Sequence, residues 1–124
     1  MRYQGGALLK YIGILLVLVA SPCSAEVPLK EYLELREVPQ VAERLRGYFT
    51  GVGRGIFWSN VEIATRGMQP LFCMPENLAL DEGIIQSLLD QEIRSPTRGR
   101  RYSNETSVEL ILINAFIGRF PCGR

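Results

Sequence analysis

Apolar residues recur every three or four positions along the middle of this chain, a spacing that places them on one face of an α-helix. The first such stretch contains Val41, Leu45, Tyr48, Val52 and Ile56. Pro39 lies just before it, where a first-turn proline is favourable, and Gly67 follows it as a helix stop. The pattern predicts a helix over about residues 41–65.

The same spacing predicts two more helices. One covers about residues 80–93 and ends before Ser95-Pro96, and the other starts at Ser103 or Thr106 and ends near Phe120. Their inward-facing apolar residues are Leu80, Ile84, Ile85, Leu88 and Leu89 in the first, and Val108, Ile111, Leu112, Ala115 and Phe116 in the second.

Two shorter signals complete the predicted fold. Thr106-Ser107-Val108-Glu109 has the form of a capping box, which favours a helix start. Residues Leu29–Leu35 are a candidate for a further short helix. The chain is therefore predicted to be all-α, a small bundle of about four helices.

The first 25 residues have the composition of a secretory signal peptide. Arg2 and Lys10 give a basic start, residues 11–20 are almost entirely apolar, and Cys23-Ser24-Ala25 ends in small residues. We expect cleavage after Ala25, which leaves residues 26–124 as a single exported helical domain.

Two other interpretations of this segment remain open. A membrane anchor is disfavoured because an apolar core of about 10 residues is shorter than the roughly 20 needed to span a bilayer. A lipoprotein acylated at Cys23 is the second alternative, although Pro22 directly before it fits poorly.

Cys73 and Cys122 both lie in the exported part of the chain. In an oxidising compartment two cysteines left after processing most often pair with each other. The bond would close a loop of about 50 residues, which chain entropy values at roughly 4 kcal/mol. We expect this disulfide to staple a domain that is otherwise marginal in size.

Charge and residue types restrict the function classes. The chain has 14 basic and 13 acidic residues; because Arg2 and Lys10 leave with the leader, the exported part has 12 and 13, a net charge of −1. This balance disfavours nucleic-acid binding. Histidine is absent, which removes cysteine-histidine and serine-histidine catalysis and the commonest zinc ligand. We expect no enzyme, no metal and no cofactor.

The long predicted helix contains Gly47, Gly51 and Gly55, one every fourth residue, and also Gly53. Each interior glycine costs up to about 1 kcal/mol relative to alanine, so the repeat needs a reason. We interpret Gly47, Gly51 and Gly55 as a smooth strip for close packing of another helix. Exposure of the backbone to a ligand or partner is the alternative.

Residues 95–102 contain the only concentrated charge run of the exported part, between the second and third predicted helices. A solvated connector is one interpretation. The other is a recognition loop in which Arg98, Arg100 and Arg101 bind carboxylates and Tyr102 is an anchor, since arginine and tyrosine are enriched at interface hot spots.

Several short motifs resemble, in order, the Rap/Tai family of periplasmic immunity proteins, which neutralise peptidoglycan amidase effectors of type VI secretion. They span nearly all of the exported part. The motifs are Tyr48-x-x-Gly51-x-x-x-Gly55, Phe72-Cys73-x-Pro75, Ser95-Pro96, Ala115-Phe116 and Phe120-Pro121-Cys122.

The resemblance implies a small all-helical periplasmic domain, a Cys73 to Cys122 disulfide, homodimerisation and inhibition of a cysteine-histidine amidase by covering its cleft. The inhibitory element does not transfer, because it varies with the effector, and we expect it to be the loop at residues 95–102. One departure is Ala79, where a capping threonine or serine is expected, so that Asn77 or Asp81 would cap instead.

Two further functions remain open. The chain also resembles the small acid-activated periplasmic chaperones, which are helical and held by one disulfide; without histidine, any acid switch would use carboxylates below about pH 5. It could also be an interaction module of the cell envelope.

Overall fold

The computed structural model describes residues 26–123, so the predicted leader, its cleavage after Ala25 and Cys23 lie outside the described residues. Within that range the chain is all-α, as predicted. The elements are α1 (Leu29–Leu35), α2 (Pro39–Thr65), α3 (Glu82–Arg94), a 3-10 turn (Gly99–Arg101) and α4 (Val108–Arg119). No helix among the described residues is long and apolar enough to cross a membrane.

The helix ends follow local capping chemistry. α2 begins at Pro39, and Gly67 follows its end with a φ of 73°, a left-handed conformation that glycine adopts without strain. α3 begins at Glu82, two residues later than predicted, because the Asp81 carboxylate accepts a hydrogen bond from the Ile84 backbone N–H at 2.9 Å. Asp81, one of the two proposed caps, is therefore the N-cap.

The last helix also begins slightly later than the sequence indicates. Ser107 is the N-cap of α4 and accepts a hydrogen bond from the Leu110 N–H at 3.4 Å. Thr106 instead accepts one from the Ser103 N–H at 2.9 Å. The Glu109 carboxylate accepts hydrogen bonds from the Val27 backbone N–H and from the Tyr48 hydroxyl. These bonds join the N-terminal segment and α2 to α4.

The core is built around α4, which packs against both α2 and α3. All five residues predicted to face inward from α4 are buried. The Phe72 and Phe116 rings stack with their centroids 4.9 Å apart, and Phe49 of α2 is fully buried. The segment between α2 and α3 thereby contributes an aromatic side chain to the helical core.

The predicted disulfide joins Cys73 to Cys122, with their Cα atoms 4.8 Å apart. Next to it the Cys73 backbone N–H donates to the Phe120 carbonyl at 2.8 Å. Asn60 of α2 is buried and holds the same segment, donating to the Phe72 carbonyl at 2.8 Å and accepting from the Leu71 N–H at 2.7 Å. The bond thus ties the segment before α3 to the end of α4.

The glycine strip is not a helix-packing surface within the described part of the chain, and that prediction is wrong. Gly47, Gly51 and Gly55 are exposed, and a methyl group added at any of them would meet nothing within 4 Å. Since residues two apart differ by about 200° around a helix, Gly51 lies on the side of α2 opposite Phe49. Gly53 is the packing glycine, because its added Cβ would lie 2.9 Å from the Ile85 Cδ1 atom.

Candidate functional site

The segment at residues 95–102 is fixed to α3 through one buried carboxylate. Glu92 is 2% exposed. Its Oε2 accepts a hydrogen bond from Arg98 Nε at 2.8 Å, and its Oε1 accepts one from the Tyr102 hydroxyl at 2.8 Å. A buried carboxylate is tolerated when it is paired and hydrogen-bonded, so these two residues stabilise Glu92 while they hold the loop.

The turn itself is compact. The Ser95 hydroxyl accepts from the Arg98 backbone N–H at 3.2 Å, and the Ser95 carbonyl accepts from the Gly99 N–H at 2.9 Å. A Cβ atom at position 99 would overlap the Ile93 carbonyl, so the close approach of the two backbones requires glycine there. The loop is therefore folded onto the end of α3.

The four residues predicted to bind a partner have different surroundings. Arg98 and Tyr102 each contact Glu92, so both have a role in the fold, and their predicted contacts with a partner stay a prediction. Burial raises the pKa of the Tyr102 hydroxyl, and its hydrogen bond to Glu92 raises the pKa further. Arg100 and Arg101 are exposed, and among residues 26–123 neither side chain has a hydrogen bond or an ion pair.

Sequence reasoning missed Glu92, because the charge balance and the motifs of the chain do not single out this acidic residue of α3. The loop that supplies its partners, Arg98 and Tyr102, is placed over it only by the fold. A signal was nevertheless available, since Glu92 lies four residues after Leu88 and three after Leu89, on the apolar face of α3. A carboxylate at such a position needs a cation nearby.

A second exposed feature is apolar. Trp58 is 66% exposed, and Met68 and Leu71 are more than half exposed. A groove of about 530 Å³ lies beside the disulfide, and the apolar side chains that line it include Phe57, Val61 and Met74. Trp58 lies about 180° from Phe49 around α2, so an aromatic residue on the outer face of the helix was a usable signal in the sequence.

The loop offers charge and hydrogen-bond donors. Arg100 and Arg101 carry guanidinium groups, which match carboxylates in a planar, two-bonded geometry. The sulfur atoms of Cys73 and Cys122 are joined to each other, so neither is a thiolate nucleophile. No group of three or more potential metal ligands occurs among the described residues.

Comparisons of the chain with protein-family models, with curated proteins and with solved structures each gave no match.

Proposed function

We propose that this chain is a periplasmic immunity protein that binds a peptidoglycan amidase effector of type VI secretion and covers its active site. The observation that carries the proposal is the loop at residues 95–102, which is held by the buried Glu92 and presents Arg100 and Arg101 to solvent. The ordered motifs that resemble the Rap/Tai family support the same function. Homodimerisation is part of the proposal.

A fixed loop is suited to inhibition because binding then requires little additional ordering. The hydrogen bonds from Arg98 and Tyr102 to Glu92 restrain both ends of the turn before a partner arrives. Arg100 and Arg101 lie between these two restraints. We propose that they bind carboxylates at the rim of the effector's cleft, so that the turn blocks entry of the cell-wall substrate.

The test uses an amidase whose gene is adjacent to the gene for this chain. Inhibition of the amidase is assayed, and the affinity of the complex is measured by calorimetry. Replacement of Arg100 and Arg101 together by alanine should weaken the complex about tenfold or more, because arginine contacts dominate many interfaces. The melting temperature should stay unchanged. Arg98 is left intact, because its loss would remove a hydrogen bond from the buried Glu92 carboxylate. A weaker complex could then result from a less stable fold and not from a lost contact with the amidase.

A matched control removes the same charge from another surface. Arg44 and Arg54 are exposed residues of α2, and their joint replacement by alanine should leave the affinity within about twofold. Loss of affinity in this control alone would place the interface on the outer face of α2. Failure of the wild-type protein to bind or inhibit the amidase would overturn the proposal.

A chaperone-like function is the second candidate, favoured by the exposed apolar side chains of Trp58, Met68 and Leu71. Exposed apolar side chains of this kind could contact unfolded clients. Suppression of client aggregation at pH 3 and at pH 7 separates the two functions. Protection that is lost on replacing Trp58 and Met68 by serine, without amidase inhibition, would favour the chaperone over the inhibitor.

A further inference from the structure

An apolar pocket opens between α3, the end of α4 and the segment that leads from the disulfide to α3. Its volume is about 320 Å³. The α3 residues that line it are three or four positions apart and so share one face of the helix. Ser87, Gln91 and Arg119 line the pocket and are exposed, so it is open to solvent. The apolar residues of the lining are Pro75, Leu78, Ile84, Leu88 and Phe120.

The fold holds the walls of this pocket in place. The Cys73 backbone N–H donates to the Phe120 carbonyl at 2.8 Å, and the disulfide from Cys73 to Cys122 lies next to this bond. Both contacts join the end of α4 to the segment before α3. Within that segment the Leu78 N–H donates to the Pro75 carbonyl at 3.2 Å. A preformed pocket needs little further ordering when a ligand binds.

The charge of the lining favours an anion. Of the residues that the structure describes, Arg119 is the only charged one that lines the pocket. Its guanidinium has no ion pair or hydrogen bond within residues 26–123. The groove beside the disulfide has the opposite sign, because Glu76 is the only charged residue in the described part of its lining. A carboxylate is therefore favoured in the pocket beside Arg119 and disfavoured in the groove.

The uncharged polar groups of the lining favour a hydrocarbon chain over a protein segment. These groups are Ser87 and Gln91, and Gln91 Nε2 donates to the Ser87 hydroxyl oxygen at 2.9 Å. A peptide would bring backbone amides that the apolar walls leave unpaired, and each unpaired amide weakens binding. An aliphatic chain has no such groups.

We propose that this pocket binds an aliphatic carboxylate of the fatty-acid type, with its chain along the apolar walls and its carboxylate on the Arg119 guanidinium. A guanidinium matches a carboxylate in a planar, two-bonded geometry. At roughly 30 Å³ for each water-sized group, 320 Å³ corresponds to about ten such groups, which is the size of octanoate. An apolar lining with few polar groups is typical of small-molecule sites. The proposal does not depend on amidase binding.

The test is a titration of octanoate into the disulfide-bonded protein with ¹³C-labelled methyl groups. Ile84 lines the pocket, so its methyl resonances should shift and saturate. Ile117 is exposed on α4 outside the pocket, and its resonances report nonspecific adsorption. We expect no comparable shift at Ile117. Hexanoate should bind about tenfold or more weakly than octanoate, because each buried methylene raises the affinity about fourfold.

A charge variant tests the contact with the carboxylate. Arg119→Gln should weaken octanoate binding about fivefold or more, because it removes a charge-assisted hydrogen bond at a partly exposed site. The affinity for octanol, which has no charge, should change less than about twofold. Arg54→Gln is the matched control, since Arg54 is exposed on α2 and does not line the pocket. Its octanoate affinity should stay within about twofold of the wild type.

A filling variant tests the pocket without changing Arg119. Ser87→Phe places a ring at an exposed position of the lining, so octanoate binding should fall about tenfold or more while the melting temperature is kept. The peptide Ac-Ala-Leu-Leu with a free carboxyl group tests a protein C-terminus as the occupant. Tighter binding of this peptide than of octanoate would overturn the proposal. Unchanged affinity in Ser87→Phe, equal affinities for Arg119→Gln and Arg54→Gln, or no saturable shift at Ile84 would overturn it as well.

Discussion

Arg98 Nε lies 2.8 Å from Glu92 Oε2, and this pair joins an arginine in the loop to a carboxylate that is almost completely buried in α3. The arginine side chain is about half exposed, so the pair lies at the boundary between the core and solvent. Tyr102 binds the other carboxylate oxygen. The charge run at residues 95–102 therefore has two parts, one that holds the loop and one that faces solvent.

Replacing Arg98 by alanine should destabilise the protein, whereas replacing Arg100 by alanine should not. Without Arg98, the Glu92 carboxylate keeps only the Tyr102 hydroxyl, and an incompletely satisfied buried group costs about 1 to 3 kcal/mol. Arg100 is exposed, so its loss should change stability by no more than about 0.5 kcal/mol. Urea denaturation of both variants measures the difference. Equal midpoints would mean that the Glu92 contact contributes nothing to stability.

The main helices and the core face of α4 could be predicted from the sequence, because both depend on local periodicity. Pro39 begins α2, Gly67 follows the end of α2, and Pro121 follows the end of α4. The backbone preferences of proline and glycine favour these positions. The start of α3 was misplaced because Leu80 belongs to the apolar pattern but precedes the Asp81 cap. Leu80 packs against the core from outside the helix.

The candidate site was harder to predict, since it depends on which faces meet in three dimensions. The repeat of Gly47, Gly51 and Gly55 is regular in sequence but lies away from the packed face of α2, whereas Gly53, outside the repeat, meets Ile85. Glu92 lies on the apolar face of α3, but the sequence does not indicate that Arg98 and Tyr102 are its partners. Periodicity describes one helix at a time and does not say what approaches it.

The two kinds of glycine in α2 should respond differently to alanine. Gly51→Ala gains up to about 1 kcal/mol of helix propensity at an open position. Gly53→Ala should be less stable than Gly51→Ala by about 1 to 3 kcal/mol, because its Cβ would lie within 3.2 Å of three atoms of the buried Ile85 side chain. Thermal unfolding of the two single variants measures this.

A double variant tests whether Ile85 causes the loss. Ile85→Val removes the Cδ1 atom that lies 2.9 Å from the Cβ atom added at position 53. In the wild type this substitution costs about 0.5 to 1.5 kcal/mol, and in the Gly53→Ala background it should cost less. The same cost in both backgrounds would show that the two side chains do not compete for space.

Reduction of the Cys73 to Cys122 bond should lower the free energy of unfolding by about 4 kcal/mol, since the bond spans 49 residues of sequence. That is a large share of the roughly 5 to 15 kcal/mol expected for a domain. Urea denaturation with and without dithiothreitol measures the loss. A Cys73→Ser/Cys122→Ser double variant should have the same free energy of unfolding as the reduced protein. Dithiothreitol should not change the stability of this variant. Equal stability of the oxidised and reduced forms would contradict the prediction that the disulfide stabilises the fold.

Stability should fall as the pH rises above 10, and Tyr32 should account for part of the fall. Burial raises the pKa of the Tyr32 hydroxyl above its ordinary value of 10.0, and the charge of Asp90 raises the pKa further. The unfolded chain therefore loses this proton at lower pH than the folded chain. The contribution of Tyr32 is complete below pH 10 and is lost as the pH rises through the folded pKa.

Tyr32→Phe removes this titration while keeping the ring that packs edge-on against Phe49 with the centroids 5.4 Å apart. Urea midpoints measured from pH 8 to 11 should decline less steeply in the variant than in the wild type. Tyr102→Phe should also flatten the decline, because the pKa of Tyr102 is raised, chiefly by burial. Its stability at pH 8 should be lower, since Glu92 Oε1 loses a donor. Parallel declines for Tyr32→Phe and the wild type would show that the Tyr32 hydroxyl titrates alike in the folded and unfolded chains.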